Sequence, residues 1–287
     1  MKVLVAGAAG QLGRALAATA PAGVELVAPD EAAFDICSAD SVAATVAAVR
    51  PALIVNAAAY TAVDRAESEP ERAHAVNAEA AGRLAAAAAQ AGARFAHVST
   101  DFVFDGTLGR PYRPDDAPNP LSVYGRSKLA GEQAVAAAHP GALIVRTAWV
   151  HAAGGQNFVA TMLRLMRERD EVRVVADQVG TPTHAASLAR AIWALDAAGA
   201  AGIHHWTDAG VASWYDFALA VEEEALALGL LDRAVPVIPI ATADYPTPAR
   251  RPGFAVLDKA ATWALIGLAD HWRVELRQML RALAAAR

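Results

Sequence analysis

A single cysteine, Cys37, stands among 287 residues. No internal disulfide can form, which fits a reducing compartment. No uncharged apolar stretch reaches membrane-spanning length, and the Ala-rich run near residue 85 is interrupted by Arg83, Gln90 and Arg94. The opening MKVLVAGAAG is too short for a secretory signal and lacks a cleavage-site layout. The expectation is a cytoplasmic protein with no membrane partner. The net charge is −5 and no Lys/Arg run offsets it, which argues against nucleic acid as a partner. The eight histidines show neither HxxxH nor Cys/His ligand spacing, so they read as surface or hydrogen-bonding residues rather than metal ligands. There is no internal repeat and no low-complexity linker.

What is present is a globular composition, 55% hydrophobic and 19% charged, in which alanine supplies much of the apolar share and favours helices. Residues 2–6 read as a buried parallel strand. Gly7, Gly10 and Gly13 follow in the pattern GAAGQLG, and a helix over about 12–20 is stopped by Pro21. A glycine-rich turn between a first strand and a helix brings backbone N–H groups and the positive helix end close to a pyrophosphate. The pattern therefore points to a dinucleotide. The second strand, about 24–28, ends at Pro29-Asp30, where an acid commonly binds the adenosine ribose and where a solvated loop acid fits equally well. Asp35-Ile36, before a helix capped near Ser38, is a candidate for the adenine side.

The strand over 53–57 ends in Asn56 and a run of alanines, small residues that leave room for a ligand in the crevice beyond the strand. Residues 94–98 form the next strand, with Ser99-Thr100-Asp101 at its end. A hydroxyl there can reach a carbonyl oxygen, or can simply form a turn. Residues 105–121 read as a loop. On the helix that follows, Tyr124 and Lys128 share one face, one turn apart. A free phenol has a pKa of about 10, and a neighbouring ammonium would lower it, making Tyr124 a proton donor to a carbonyl oxygen. Taken alone, the pair also fits an ordinary exposed helix face.

The alternation of strands and helices implies an α/β protein with a doubly wound parallel sheet (Rossmann) in residues 1–150. Residues 151–287 read mainly as a smaller C-terminal substrate-binding lobe, with later segments free to return to the sheet. Helices are expected there over about 157–168, 185–198, 214–228 and 271–285, and the Pro-rich 245–252 is irregular.

The fingerprint at 7–13, Ser99-Thr100 and Tyr124xxxLys128, in that order, resemble the extended short-chain dehydrogenase/reductase superfamily. VNAAAYTAVDRAESEP at 55–70, STDFVFDG at 99–106, RTAWV and GGQNFV across 146–159, DQVGTPT at 177–183, SWYDFA at 213–218 and YPTPARRP at 245–252 narrow the resemblance to the dTDP-4-dehydrorhamnose reductase family. The resemblance implies an oxidoreductase of nucleotide-sugar metabolism. It would use NADPH or NADH to reduce the 4-keto group of dTDP-4-dehydro-6-deoxy-L-mannose, giving dTDP-L-rhamnose. It makes Tyr124 the proton donor, Lys128 the holder of the nicotinamide ribose, and Thr100 a hydrogen-bond partner of the reacting oxygen. It places the cofactor along Gly7, Gly10, Gln11, Leu12 and Gly13, with Asp30, Asp35, Ile36, Ala58, Ala59 and Tyr60 lining the rest. It places the dTDP-sugar at Val63, Thr100, Asp101 and Trp149.

Departures from the family pattern matter. Phe102 stands where the family often has Tyr, and His151 replaces a common aromatic hydroxyl. Some members dimerise around Mg²⁺ through glutamates; Ala15 occupies one such position, so no Mg²⁺ site is expected, while a homodimer stays open. Asp30 favours NADH by repelling a 2′-phosphate, and Arg14 offers that phosphate a partner instead. Two other readings stand beside this one: a different nucleotide-deoxysugar 4-ketoreductase, and a non-catalytic NADP-binding regulatory subunit. A dehydratase fits less well, because Phe102 rather than Glu follows Asp101.

Overall fold

Continuous apolar runs become strands buried on both faces, as a helix-covered parallel sheet requires. The computed structural model describes residues 1–286. It opens with β1 (Lys2–Ala6), α1 (Gln11–Ala18), β2 (Glu25–Val27), α2 (Ala39–Val49) and β3 (Leu53–Asn56). A short α3 (Val63–Ala66) precedes a long helical stretch made of α4 (Pro70–His74), a π turn (Ala75–Glu79) and α5 (Ala80–Gln90). Next come β4 (Arg94–Thr100), a 3₁₀ turn (Asp101–Val103), α6 (Val123–Ala138) and β5 (Leu143–Thr147). The remainder is β6 (Val150–His151), α7 (Phe158–Glu168), β7 (Val172–Val175), β8 (Val179–Gly180), β9 (Thr183–His184), α8 (Ala185–Ala197), β10 (Gly202–His205), β11 (Ala212–Ser213), α9 (Trp214–Ala227), β12 (Val237–Ile240), α10 (Ala260–Ile266) and α11 (Trp272–Ala285).

The main sheet is parallel throughout, in the order β10-β5-β4-β3-β1-β2. Every residue of β3 and β5 is buried. One face is covered by α2, α5 and α6 through Val42, Val46, Leu84 and Val135, the other by α1 and α8 through Leu12, Leu16, Leu188 and Ile192. The alanines of α5 let helices approach closely: a Cβ on Gly82 would lie 2.9 Å from the Cβ of Ala134. The expected doubly wound sheet is therefore present. Its order reverses between β1 and β3, and a doubly wound sheet binds ligands at such a point. Register aligns Ala6 with Asn56, Asn56 with His97, and Thr100 with Thr147, so these strand ends form one edge.

Beyond residue 150 the chain serves two cores. β10 closes the sheet and α8 packs on its face. The helices α7, α9 and α11, with the parallel pair β7–β12, enclose a second cluster around Leu163, Phe217, Val221 and Leu276. Side-chain caps start these helices where the sequence offers them: Asn157 accepts from the Ala160 N–H, and Ser213 with Asp216 forms a reciprocal capping box. The short α10 was not expected from sequence. No described helix is long and apolar enough to cross a membrane.

His151 sits in the second core with both ring nitrogens unpartnered among the described residues, its ring stacked 5.7 Å from that of His184. Burial, helped by His184, pushes its pKa down to about 3. The folded protein thus keeps His151 neutral where the unfolded chain takes up a proton, so stability falls as pH drops through about 6.5 toward 3. At about 1.4 kcal/mol per pH unit, the loss from this residue is about 2 kcal/mol at pH 5. His151→Phe should remove that acid sensitivity, measured as the difference between denaturant unfolding at pH 5 and pH 7.5. An unchanged difference would assign the sensitivity elsewhere.

Candidate active site

The strand edge at the β1/β3 reversal is built for close approach. Gly7 has φ 78°, and a Cβ there would lie 2.6 Å from the Ala58 nitrogen. A Cβ on Gly13 would lie 2.4 Å from the Gly7 carbonyl oxygen. Gly10 precedes α1 without any side-chain cap, and the first turn of α1 holds no acid. Its leading N–H groups and the positive end of its dipole are therefore left for an anion. Gln11 accepts a hydrogen bond from Asn157 Nδ2 at 2.8 Å, and Arg14 donates to the carbonyls of Ala9 and Gly154. The loop before α7 therefore rests on the glycine turn. Leu12 is buried beneath the turn in the sheet core.

Along the same edge, Asp30 and Asp35 are exposed and use their carboxylates to close turns, on the N–H groups of Ala33 and Cys37, both at 2.8 Å. The side chain of Ile36 is packed into the core, which leaves its backbone rather than its side chain for a ligand. Ala58, Ala59 and Tyr60 are half-buried beyond β3. Their loop is pinned by Asn77, whose Oδ1 accepts from the Tyr60 N–H at 2.8 Å and whose Nδ2 donates to Tyr60 O at 3.1 Å and to Ser127 Oγ at 2.9 Å. The π turn that carries Asn77 is pressed against α6: a Cβ on Gly131 would lie 2.1 Å from the Asn77 carbonyl oxygen.

At the end of β4, buried Thr100 donates from Oγ1 to Asp101 Oδ1 at 2.9 Å and accepts from the Phe102 N–H at 3.2 Å, and its hydroxyl lies close enough to the Tyr124 phenol to act on its proton affinity. Ser122 caps α6 by accepting from the Gly125 N–H at 3.1 Å, and a Cβ on Gly125 would lie 2.3 Å from Phe102 O. The first turn of α6 thus seats on the 3₁₀ turn and fixes the phenol against Thr100. Phe102 meets Tyr124 edge-on with ring centroids 5.5 Å apart, and Val63 packs into the same cluster.

Electrostatics here differ from the sequence reading. Burial pushes the Tyr124 hydroxyl up to about 12, with the nearby Thr100 hydroxyl opposing and the Asp101 charge adding. Lys128 does not lower it, because Lys128 Nζ is turned to Val98 O at 2.6 Å and toward His97 Nε2 at 3.4 Å. Burial also pushes Lys128 down to about 8, against the pull of Glu132, and raises Asp101 to about 7 against its hydrogen bonds. The second oxygen of Asp101, Oδ2, is buried with no partner among the described residues.

Trp149 belongs to the second core. It has φ 47°, a left-handed conformation unusual for a bulky residue, and its ring stacks on Trp214 with centroids 3.5 Å apart. Gly180 makes the seat, since a Cβ there would lie 2.8 Å from the indole. The structure therefore groups Thr100, Asp101, Tyr124 and Val63, groups Gly7, Gly13 and Ala58, and sets Trp149 among aromatics of α9. Sequence reading gave no role to Asn77 or His97. An asparagine inside an alanine helix and a histidine inside an apolar strand, both against local preference, were the available signals.

Residues 1–285 match the family described as the RmlD substrate binding domain. A dTDP-4-dehydrorhamnose reductase of Sinorhizobium fredii is 43% identical over 295 residues, covering 99% of this chain and 98% of the relative. The crystal structure of a dTDP-4-dehydrorhamnose reductase from Clostridium acetobutylicum superposes with a TM-score of 0.92 at 38% identity, covering 99% of each chain. That of the Bacillus anthracis dTDP-4-dehydrorhamnose reductase in complex with NADP gives 0.91 at 35% identity, covering 98% of this chain and 99% of the other. A likeness that runs the length of both chains at this identity means that the chain belongs to the RmlD substrate binding domain family, that of the dTDP-4-dehydrorhamnose reductases.

Proposed function

We propose that this protein reduces the 4-keto group of dTDP-4-dehydro-6-deoxy-L-mannose to give dTDP-L-rhamnose, with NADPH or NADH as the reductant. The observation that carries the reading is the buried phenol of Tyr124, set beside Thr100 at the strand edge that also holds the glycine turn. The residues fit a dinucleotide: Gly7 and Gly13 leave no room for a Cβ, and the first N–H groups of α1 have no side-chain cap. When bound, the cofactor supplies the hydride. Tyr124 stays protonated at neutral pH and donates to an oxygen that becomes far more basic as it gains charge. Thr100 Oγ1 lies beside the phenol, and its single proton, given to Asp101 Oδ1 in the free protein, can turn to that oxygen as a second hydrogen bond. Lys128 reaches the ribose from α6, Asn77 holds the loop of Ala58, Ala59 and Tyr60 in place, and Asp30, Asp35 and the Ile36 backbone face the adenosine half. The second core, with Trp149 at its margin and Val63 and Asp101 across from it, supplies the sugar site.

The test follows absorbance at 340 nm with NADPH and NADH, using dTDP-4-keto-6-deoxyglucose with and without a 3,5-epimerase. Oxidation that needs both sugar and epimerase and yields dTDP-rhamnose is expected. Oxidation without the epimerase would point to another deoxysugar 4-ketoreductase. Cofactor binding without any oxidation would point to a regulatory subunit.

A further inference from the structure

His97 touches Lys128, yet proton donation by Tyr124 gives it nothing to do. It is fully buried in β4, with Nε2 at 3.4 Å from Lys128 Nζ and Nδ1 at 3.1 Å from Asn56 Nδ2. A backbone group sets the polarity of this chain of contacts. The Ala58 N–H can only donate, and it donates to Asn56 Oδ1 at 3.2 Å. The Nδ2 end of the same amide can then only donate, so His97 Nδ1 is the acceptor. Burial, with the Lys128 charge adding, holds His97 well below its ordinary pKa, so the ring is neutral and carries its one proton on Nε2. An N–H therefore faces Lys128. An ammonium has three donors and no acceptor, and opposite that N–H it leaves a buried donor unpaired. An amine presents a lone pair and completes the series from Ala58 through Asn56, His97 and Lys128 to Val98 O.

We propose that His97, locked in its Nε2–H tautomer by Asn56 and the Ala58 amide, is a positioning residue that favours the neutral amine of Lys128 in the cofactor-free protein, and that Lys128 takes up a proton from solvent when the nicotinamide cofactor binds. The inference rests on the reading that Lys128 meets the cofactor's ribose. Ribose oxygens give Nζ further acceptors that only an ammonium can fill together with Val98 O, and these added N–H···O bonds outweigh the one His97 N–H that stays unpaired. The depressed pKa of Lys128, about 8, agrees with the geometry. Among the groups around Nζ, Glu132 on the same helix favours the ammonium and is shared with Arg146, His97 on β4 opposes it, and Ser127 with Asn77 is uncharged. Tyr124 and Asp101 are the other titratable groups of the site.

Calorimetric titration of the full chain with NADH or NADPH in two buffers of different ionisation enthalpy separates affinity from proton uptake. At pH about 8.5 a 2′-phosphate is fully ionised and contributes nothing. The wild type should take up more than about half a proton per cofactor at that pH. Lys128→Met should abolish the uptake. Asn56→Asp accepts from an Nδ1–H, reverses the His97 tautomer and turns a lone pair toward Lys128, so uptake should fall severalfold with both residues still in place; His97→Gln should reduce it as well. Equal heats in both buffers, with binding intact, would overturn the proposal. So would undiminished uptake in Asn56→Asp and His97→Gln, or in Lys128→Met, which would assign the proton to Asp101. A complete lack of cofactor binding would instead overturn the reading of Lys128 and the cofactor on which the proposal stands.

Discussion

Tyr124→Phe is expected to lower turnover by about 10²–10⁴-fold, the usual range for losing a positioned general acid. The substitution is close to a pure deletion of one oxygen. The ring keeps its edge-on contact with Phe102 and its place beside Val63 and Ala66. Thr100 keeps its hydrogen bonds to Asp101 and to the Phe102 N–H. The glycine turn, the Asn77 clamp and Lys128 are untouched, so cofactor affinity, followed by fluorescence titration, should stay near the wild-type value. Single-turnover measurement at saturating cofactor separates chemistry from release of product. Turnover within a few-fold of wild type would remove Tyr124 from the role of acid, and parallel losses of affinity and turnover would point to a misplaced α6 rather than a missing proton.

Much of this arrangement could be read before any coordinates. Strands buried on both faces announce themselves as unbroken apolar runs, which is why residues 2–6 and 53–57 were legible as sheet. The glycines were legible because few other reasons put three of them between a first strand and a first helix. The Tyr124–Lys128 spacing correctly put both residues on one helix face, but spacing says nothing of what the ammonium finds at the end of its reach. Here it finds Val98 O and His97, partners supplied by a strand some thirty residues earlier. The π turn was hidden for a similar reason. It lies where the Asn77 carbonyl meets Gly131 of α6, a tertiary contact without local periodicity. Ile36 shows another limit: its place in the sequence does not tell that its side chain packs in the core and leaves the backbone to face a ligand. The two-residue ladders β6–β9 and β8–β11 are too short to leave a pattern.

Glu132→Ala should destabilise the protein by about 3–5 kcal/mol, the cost of stranding a buried charge. Glu132 and Arg146 have side chains only 4% and 2% exposed, joined by Nε–Oε1 at 2.9 Å and Nη2–Oε2 at 2.7 Å. The guanidinium also donates to Pro114 O at 3.3 Å and lies 5.0 Å from the Phe104 ring centroid, so it is held where it cannot swing out to water. Removing its carboxylate leaves a cation against the face of Phe104, whose edge meets buried His205 at 5.9 Å. Replacing both partners by apolar residues of similar volume, Glu132→Leu with Arg146→Met, should cost far less, because no charge is then left unpaired. Denaturant unfolding of the two variants distinguishes a charge effect from a packing effect: similar losses in both would mean that shape rather than charge holds this junction. The site should register the change too. Tyr124, Lys128 and Glu132 fall at i, i+4 and i+8 along one stripe of α6, and Glu132 is the carboxylate that favours the Lys128 ammonium. Its loss should therefore shift Lys128 further toward the amine, coupling the anchor of the helix to the charge at its catalytic end.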